Sequence, residues 1–282
     1  MTRPARLVVL LGVLLGVGQL AALAGAPQIK RPLNRTFTAA AGSTVSVRIS
    51  GGPITVETGS GRSVQLTLEQ NFENVSNDAD ADRALAEYDV TAAQEGNIVR
   101  VEVRRQREGG WRYRRGDPRV NFAARLTVPA DVQLDVHTSG GPITVRGDRT
   151  AHVKADTSGG AITVDGGRAN FDLDTSGGPI RVGRVLGNVV ADTSGGSITV
   201  DYVGPTATEV SLDTSGGTIR VGVDRAAKLD IDASTSGGSV SIENLPFETR
   251  TLRRTRASGT MNGGGGRLTA DTSGGSIEIR GM

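Results

Sequence analysis

Phe171-Asp172-Leu173-Asp174-Thr175-Ser176-Gly177-Gly178-Pro179-Ile180-Arg181-Val182 is the stretch that decides the fold. Apolar residues alternate with polar ones on both sides of a Thr-Ser-Gly-Gly tetrad. A period of two marks a half-buried strand, so the stretch reads as strand, corner, strand. The tetrad begins at Thr138, Thr157, Thr175, Thr193, Thr214, Thr235 and Thr272, with successive spacings of 19, 18, 18, 21, 21 and 37. A repeat near 20 residues signals a solenoid. The long last gap holds a degenerate copy, Ala257-Ser258-Gly259, read as one more corner. An early partial copy is Ser50-Gly51-Gly52-Pro53-Ile54-Thr55-Val56.

One repeat cannot bury its own apolar face. Stacked on the next, each Ile sits over an Ile about 4.8 Å away, and the core becomes continuous ladders. Small or apolar residues precede the Thr by two and four positions (Val136/Leu134, Leu173/Phe171, Leu212/Val210). Ile or Val follows it by five and seven (Ile143/Val145, Ile180/Val182, Ile219/Val221). The corners are Ser139-Gly140-Gly141, Ser158-Gly159-Gly160, Ser176-Gly177-Gly178, Ser194-Gly195-Gly196, Ser215-Gly216-Gly217, Ser236-Gly237-Gly238 and Ser273-Gly274-Gly275. Their paired glycines permit a positive-φ corner or a close approach of successive backbones. The Ser hydroxyl is expected to bond backbone there, and the Asp before the Thr to open an Asx turn. A β-sandwich also has regular short strands. The identical corner in successive coils favours an all-β protein of the β-solenoid, single-stranded β-helix-like class, with eight or so coils spanning about 40 Å.

Composition narrows the function. The chain has 282 residues, 40 of them Gly, and no Cys. A disulfide scaffold, a thiol nucleophile, a cysteine zinc site and a lipid-anchored cysteine are thereby excluded. Nine aromatics are too few for carbohydrate-stacking subsites or base-stacking platforms. Without Arg3 and Arg6 of the leader, 30 basic residues face 30 acidic ones, so a nucleic-acid partner is not expected.

The N-terminus reads as an export signal. Arg3 and Arg6 precede an apolar run from Leu7 to Leu23, and Ala22-Leu23-Ala24 supplies a small-x-small cleavage site. An uncleaved N-terminal anchor is the alternative, since the run approaches the length of a spanning helix. The expected organisation is 1–24 signal peptide, 25–33 linker, 34–128 N-terminal cap and elaborated first coils, and 129–282 regular solenoid, the last two forming one continuous domain. The protein is expected to be periplasmic, surface-bound or secreted, with no spanning segment after cleavage. Within 67–128, Asn77-Asp78 is placed to cap a short helix over 80–88, and 98–103 and 121–128 read as strands.

The export signal, Gly42-Ser43-Thr44-Val45 ahead of Ser50 to Val56, the helix-bearing insertion and Leu126-Thr127-Val128-Pro129 before Leu134 to Gly141 carry a resemblance. So do Met261-Asn262-Gly263-Gly264 and the strand pair from Leu268 to Ile279. The chain resembles the bacterial adhesin-type domain family of unknown function, which includes LiaG-like and autotransporter-adhesin-head-like envelope proteins. The resemblance covers nearly all of the chain beyond the leader. It implies a β-helix-like envelope protein tied to envelope stress, and it carries over no catalytic residue. Many relatives have Asp in place of the tetrad's second Gly, so any role of that Asp is absent here.

Several constellations bear on chemistry. Asp-Thr-Ser-Gly is not the aspartic-protease motif: a Ser intervenes, and the run recurs at Asp156, Asp174, Asp192, Asp213 and Asp271, whereas that chemistry needs one carboxylate pair. These Asp residues form an outward column, which tolerates repulsion of about 1 kcal/mol per neighbour in water. Asp156, Asp174, Asp192 and Asp213 are weak candidates to bridge a cation such as Ca²⁺. His137 and His152 make a poor metal site, and Asp135, His137 and Ser139 are too close along one strand for a triad. No cofactor is expected. A polysaccharide-active β-helix enzyme is the enzymatic rival, but only Phe171, Tyr202 and Phe247 are aromatic from residue 129 onward.

The segment 100–125 holds nine Arg against Glu102, Glu108 and Asp117. Arg104, Arg105, Arg107, Trp111, Arg112, Tyr113, Arg114 and Arg115 are the candidate contact with an anionic partner, since the guanidinium fork suits phosphate and carboxylate. The bland alternative is a solvated hairpin whose Arg pair with the acidic stretch Glu69 to Asp89. Arg115-Gly116-Asp117 spells the integrin tripeptide, a chance match in a segment this rich in Arg and Gly. A second basic run, Arg250, Arg253, Arg254 and Arg256, lies far along the chain. The sequence therefore points to a non-enzymatic exported binding or adhesin-like module whose partner is an envelope polymer or an envelope protein. The rival readings are an envelope-stress accessory that binds a protein and the polysaccharide-active enzyme.

Overall fold

The structure is a computed structural model and describes residues 29–106 and 116–282. The first elements are β1 (Lys30–Thr38), β2 (Thr44–Ile49), β3 (Ile54–Gly59), β4 (Ser63–Glu73), α1 (Asp78–Leu85), β5 (Tyr88–Glu95), β6 (Ile98–Arg105) and β7 (Arg119–Pro129). Strand pairs follow: β8 (Gln133–Thr138) and β9 (Ile143–Arg146), β10 (Val153–Thr157) and β11 (Ile162–Gly167), β12 (Phe171–Thr175) and β13 (Ile180–Val185). Then come β14 (Val189–Thr193) and β15 (Ile198–Val203), β16 (Glu209–Thr214) and β17 (Ile219–Val223), β18 (Leu229–Thr235) and β19 (Val240–Glu243). β20 (Phe247–Arg253), β21 (Arg256–Met261), β22 (Gly266–Thr272) and β23 (Ile277–Gly281) close the chain.

Each coil gives one strand to each of two sheets, and the protein is a two-sheeted β-solenoid. The first sheet has 11 strands in the order β1-β4-β7-β3-β9-β11-β13-β15-β17-β23-β19. The second has 12, in the order β20-β21-β18-β22-β16-β14-β12-β10-β8-β2-β6-β5. Coil strands pair in parallel and in exact register, as in Ile162 beside Ile180 and Ile180 beside Ile198. The two inward rows fill the space between the sheets, and Ile143, Ile162, Ile198, Ile219 and Ile277 are fully buried.

The corner is held by its Thr, not by its Ser or Asp. The Thr is in phase with the inward residues two and four places earlier, so its hydroxyl points into the corner. Thr193 Oγ1 donates to Gly178 O of the neighbouring coil at 2.9 Å and accepts the N–H of Gly196 at 3.2 Å. The same pair of bonds recurs at Thr157, Thr175, Thr214, Thr235 and Thr272. Of the two reasons for paired glycines, close approach is the one that applies, and only to the second glycine. A Cβ on Gly196 would lie 1.9 Å from Gly178 O, whereas one on Gly195 would find its nearest neighbour at 3.5 Å. None of the corners from Ser139 to Gly275 has a positive-φ residue.

The coils do not stack in chain order at the ends. β22 and β23, last in sequence, insert between the β16/β17 coil and the β18/β19 coil. The Thr bonds record the exchange: Thr272 reaches Gly217, and Thr235 reaches Gly275. Similarly, β6 and β7 stack outside β2 and β3. Residues 257–259 do not form the expected degenerate corner. They lie in β21, which runs antiparallel to β18 and β20 because Arg254-Thr255 turns the chain back on itself.

Antiparallel strands close both ends. At one end β4 and β1 extend the first sheet, and β5 extends the second. β1 begins at Lys30, so the strand takes up residues expected to be linker. Helix α1 starts at Asp78, two residues before its expected start, and ends at Leu85 because Tyr88 enters β5. Asn77 Oδ1 accepts the Asp80 N–H at 2.9 Å as its N-cap, and buried Ala81 and Ala84 face the core.

Candidate functional site

The Ser-Gly-Gly corners line one long edge of the solenoid. At most coils the chain crosses this edge in four residues, as at Ser50 to Pro53 or 139–142. At the coil formed by β6 and β7 it crosses with residues 106–118. The Arg-rich segment is thus an insertion at one corner, next to the Ser50 corner on which its coil stacks. Arg104 and Arg105 lie at its β6 stem. Arg104 Nε is 3.5 Å from Glu102 Oε1, and Arg105 Nη2 is 2.7 Å from Glu87 Oε2. Arg107, Trp111, Arg112, Tyr113, Arg114 and Arg115 lie outside the described residues.

A recess of about 590 Å³ opens beside this stem, lined by Ser50, Pro53, Glu69, Tyr88, Phe122 and Arg125 among others. Its floor is an edge-to-face pair, Tyr88 on Phe122, with ring centroids 5.1 Å apart. The Arg105 guanidinium lies 6.0 Å from the Tyr88 ring. Arg125 Nε holds Glu69 Oε1 at 2.9 Å. Part of the acidic stretch therefore does pair with arginines that flank the insertion. Sequence reading missed the recess because its walls come from β4, β5 and β7, which only the fold brings together.

The Asp column is a ladder on the outer face of the second sheet. Asp156, Asp174, Asp192, Asp213 and Asp271 occupy matching positions on adjacent strands. Partial burial, and then the neighbouring carboxylates, push the Asp174, Asp192 and Asp213 carboxyls up from their ordinary value. At one end His137 Nδ1 lies 3.3 Å from Asp156 Oδ1, with Arg48 on the strand beyond. At the other, Ser234 donates to Asp271 Oδ1. Among the described residues no group of three or more His, Asp or Glu is arranged to hold a metal ion, the Asp ladder included. Asp135 Oδ2 is 2.6 Å from Arg48 Nη2, and His137 Nδ1 faces Asp156 instead of Asp135.

Arg149 carried no signal in the sequence. It is fully buried in the loop after β9, and it donates to Pro129 O at 2.8 Å and to Val132 O. Burial pulls its pKa down to about 10, and Asp131 opposes that only in part. Its guanidinium satisfies carbonyls of the turn between β7 and β8, so its part is to hold the fold.

No curated protein matches the chain. Solved structures do, at low identity. One is a "putative adhesin" from Parabacteroides distasonis ATCC 8503, 12% identical, covering 89% of this chain and 97% of that one, with a TM-score of 0.39. Another is a "putative cell adhesion protein" from Clostridium sporogenes ATCC 15579, 11% identical, covering 89% and 100%, with a TM-score of 0.31. A third, from Parabacteroides distasonis ATCC 8503, is described as a "putative lipid binding protein", 9% identical, covering 89% and 96%, with a TM-score of 0.28. The profile of the Toastrack DUF4097 family matches residues 114–280, more than half of the chain and every corner from Ser139 to Gly275. This repeating two-sheet stack belongs to the Toastrack DUF4097 family.

Proposed function

We propose that the protein is an exported, non-enzymatic binding module of the bacterial envelope, and that its Arg-rich insertion contacts an anionic envelope polymer. One observation carries the reading. Along an edge built of short Ser-Gly-Gly corners, two crossings are long: 74–87, the helix-bearing link between the cap strands β4 and β5, and 106–118, the only long one that joins two strands of a parallel coil and the one rich in Arg. A rigid stack with one elaborated corner suits display of a contact segment. The guanidinium groups supply forks for phosphate or carboxylate, and Trp111 and Tyr113 supply apolar contact between them. The carboxylates of the Asp ladder stand in line at strand spacing on the outer face of a sheet, which favours a binding module over a glycan-cleaving enzyme.

The test is Arg112→Ala/Arg114→Ala/Arg115→Ala in the chain from residue 25, pelleted with cell envelopes from which the lipid has been extracted. Loss of pelleting with an unchanged melting curve is expected. Pelleting equal to that of the wild type would overturn the assignment to this segment.

A further inference from the structure

The other end of the solenoid carries a basic and apolar tip that the Arg-rich insertion does not explain. There the second sheet runs two strands past the last coil, as the β20–β21 hairpin, while the first sheet stops at β19. The hairpin turn is docked on the final corner. Arg254 O accepts the Val240 N–H at 2.8 Å, and Thr255 O accepts the Thr235 N–H at 2.9 Å. These carbonyls stand where a further coil would supply its own, as Ser239 O does for Ile277. The tip is therefore a fixed part of the fold.

Arg250, Arg253 and Arg254 are all exposed on this hairpin, and none is in an ion pair among the described residues. Arg256 is held by Asp232 at 2.9 Å, and Glu248 is the one acid on β20. Between the free arginines stands Leu252. It pairs across the hairpin with Ala257, which is fully buried, yet Leu252 is 64% exposed. The solenoid core ends at Ala257, and Leu252 projects beyond it.

We propose that this hairpin docks on an anionic lipid surface, with Leu252 entering the headgroup–acyl boundary and Arg250, Arg253 and Arg254 on lipid phosphates. The chemistry is that of interfacial binding: a leucine gains by leaving water, and cations beside it gain from anionic headgroups. A convex tip with a protruding leucine suits a bilayer. A soluble polyanion would use the arginines and leave Leu252 in water. The proposal does not depend on the Arg-rich insertion, which leaves the opposite end of the stack.

The chain has no Cys, so Leu252→Cys carries a single environment-sensitive fluorophore. Residues 25–282 contain both sheets and both caps and are the form to use. The fluorophore's emission is expected to shift to the blue on phosphatidylglycerol vesicles and to stay unchanged on phosphatidylcholine vesicles. Arg250→Gln/Arg253→Gln/Arg254→Gln should weaken vesicle binding on the order of a hundredfold with an unchanged melting curve. In unlabelled protein, Leu252→Ser should weaken it roughly tenfold. The Arg112→Ala/Arg114→Ala/Arg115→Ala variant should keep the shift. No shift on phosphatidylglycerol, or an unchanged affinity in the glutamine variant, would overturn the proposal. So would a shift produced by soluble polyphosphate in place of vesicles, or a shift abolished by the variant at 112–115.

Discussion

At the residue scale the fold rests on one Thr and one Gly per coil. The Thr hydroxyl closes two bonds at a buried corner, and the second Gly leaves room for the next coil's carbonyl. The alternating pattern puts the Thr on the inward side, yet the sequence reading gave the corner to the Ser hydroxyl and the Asp side chain, so the Thr's role was missed. The Asp before it faces outward by the same rule and cannot reach the corner. The two glycines look equivalent in sequence because the neighbouring coil, which distinguishes them, lies 18 residues away. They differ sharply in what they tolerate. Gly196→Ala places a methyl 1.9 Å from Gly178 O and should cost about 3 kcal/mol or more. Gly195→Ala has room at 3.5 Å and should change stability by about 0.5 kcal/mol or less. Denaturant melts of the two variants read the difference directly.

At the element scale the Asp ladder sets a pH dependence. The Asp174, Asp192 and Asp213 carboxyls are held above their ordinary value in the fold, by partial burial first and then by neighbouring carboxylates. The folded state then binds protons at a pH where the unfolded chain has released them. Between the raised values and the ordinary value near 4, stability falls as pH rises, and the penalty is complete at neutral pH. Asp192→Asn should therefore stabilise the protein at pH 7 by about 1 kcal/mol or less, and the gain should vanish at about pH 3. Melts at the two pH values measure it, and an equal gain at both would contradict the electrostatic cause. The end caps were the least legible elements. Ser258-Gly259 mimics a corner, and the Arg254-Thr255 turn lacks the glycine that usually marks a hairpin. Only the docking of that turn on Val240 and Thr235 makes β21 antiparallel.

At the scale of the whole molecule, the repeat fixes register but not order. Any coil with Ile over Ile satisfies the ladder, so nothing local says that β22 and β23 precede β18 and β19 in the stack. The Ala257 to Gly266 return, which brings the chain back between two coils, decides it. Ser211 lies beside Thr269 across parallel strands, about 4.8 Å apart, while Ser211 and Asp232 are separated by twice that. Ser211→Cys/Thr269→Cys should form a disulfide under mild oxidation, and Ser211→Cys/Asp232→Cys should not. The inserted coil also places the hairpin tip at the far end of the corner edge from the Arg-rich insertion. Basic groups thus stand at both ends of one rigid edge, about 40 Å long at strand spacing, with the acidic ladder on a side face between them.

Co-sedimentation of residues 25–282 with isolated cell envelopes, at low and at high salt, tests the binding function most directly. Pelleting at low salt that is lost at high salt is the expected result, because guanidinium contacts with an anionic polymer are screened. No pelleting at either salt would contradict an envelope-binding role for the arginines and leave a protein partner as the function to pursue.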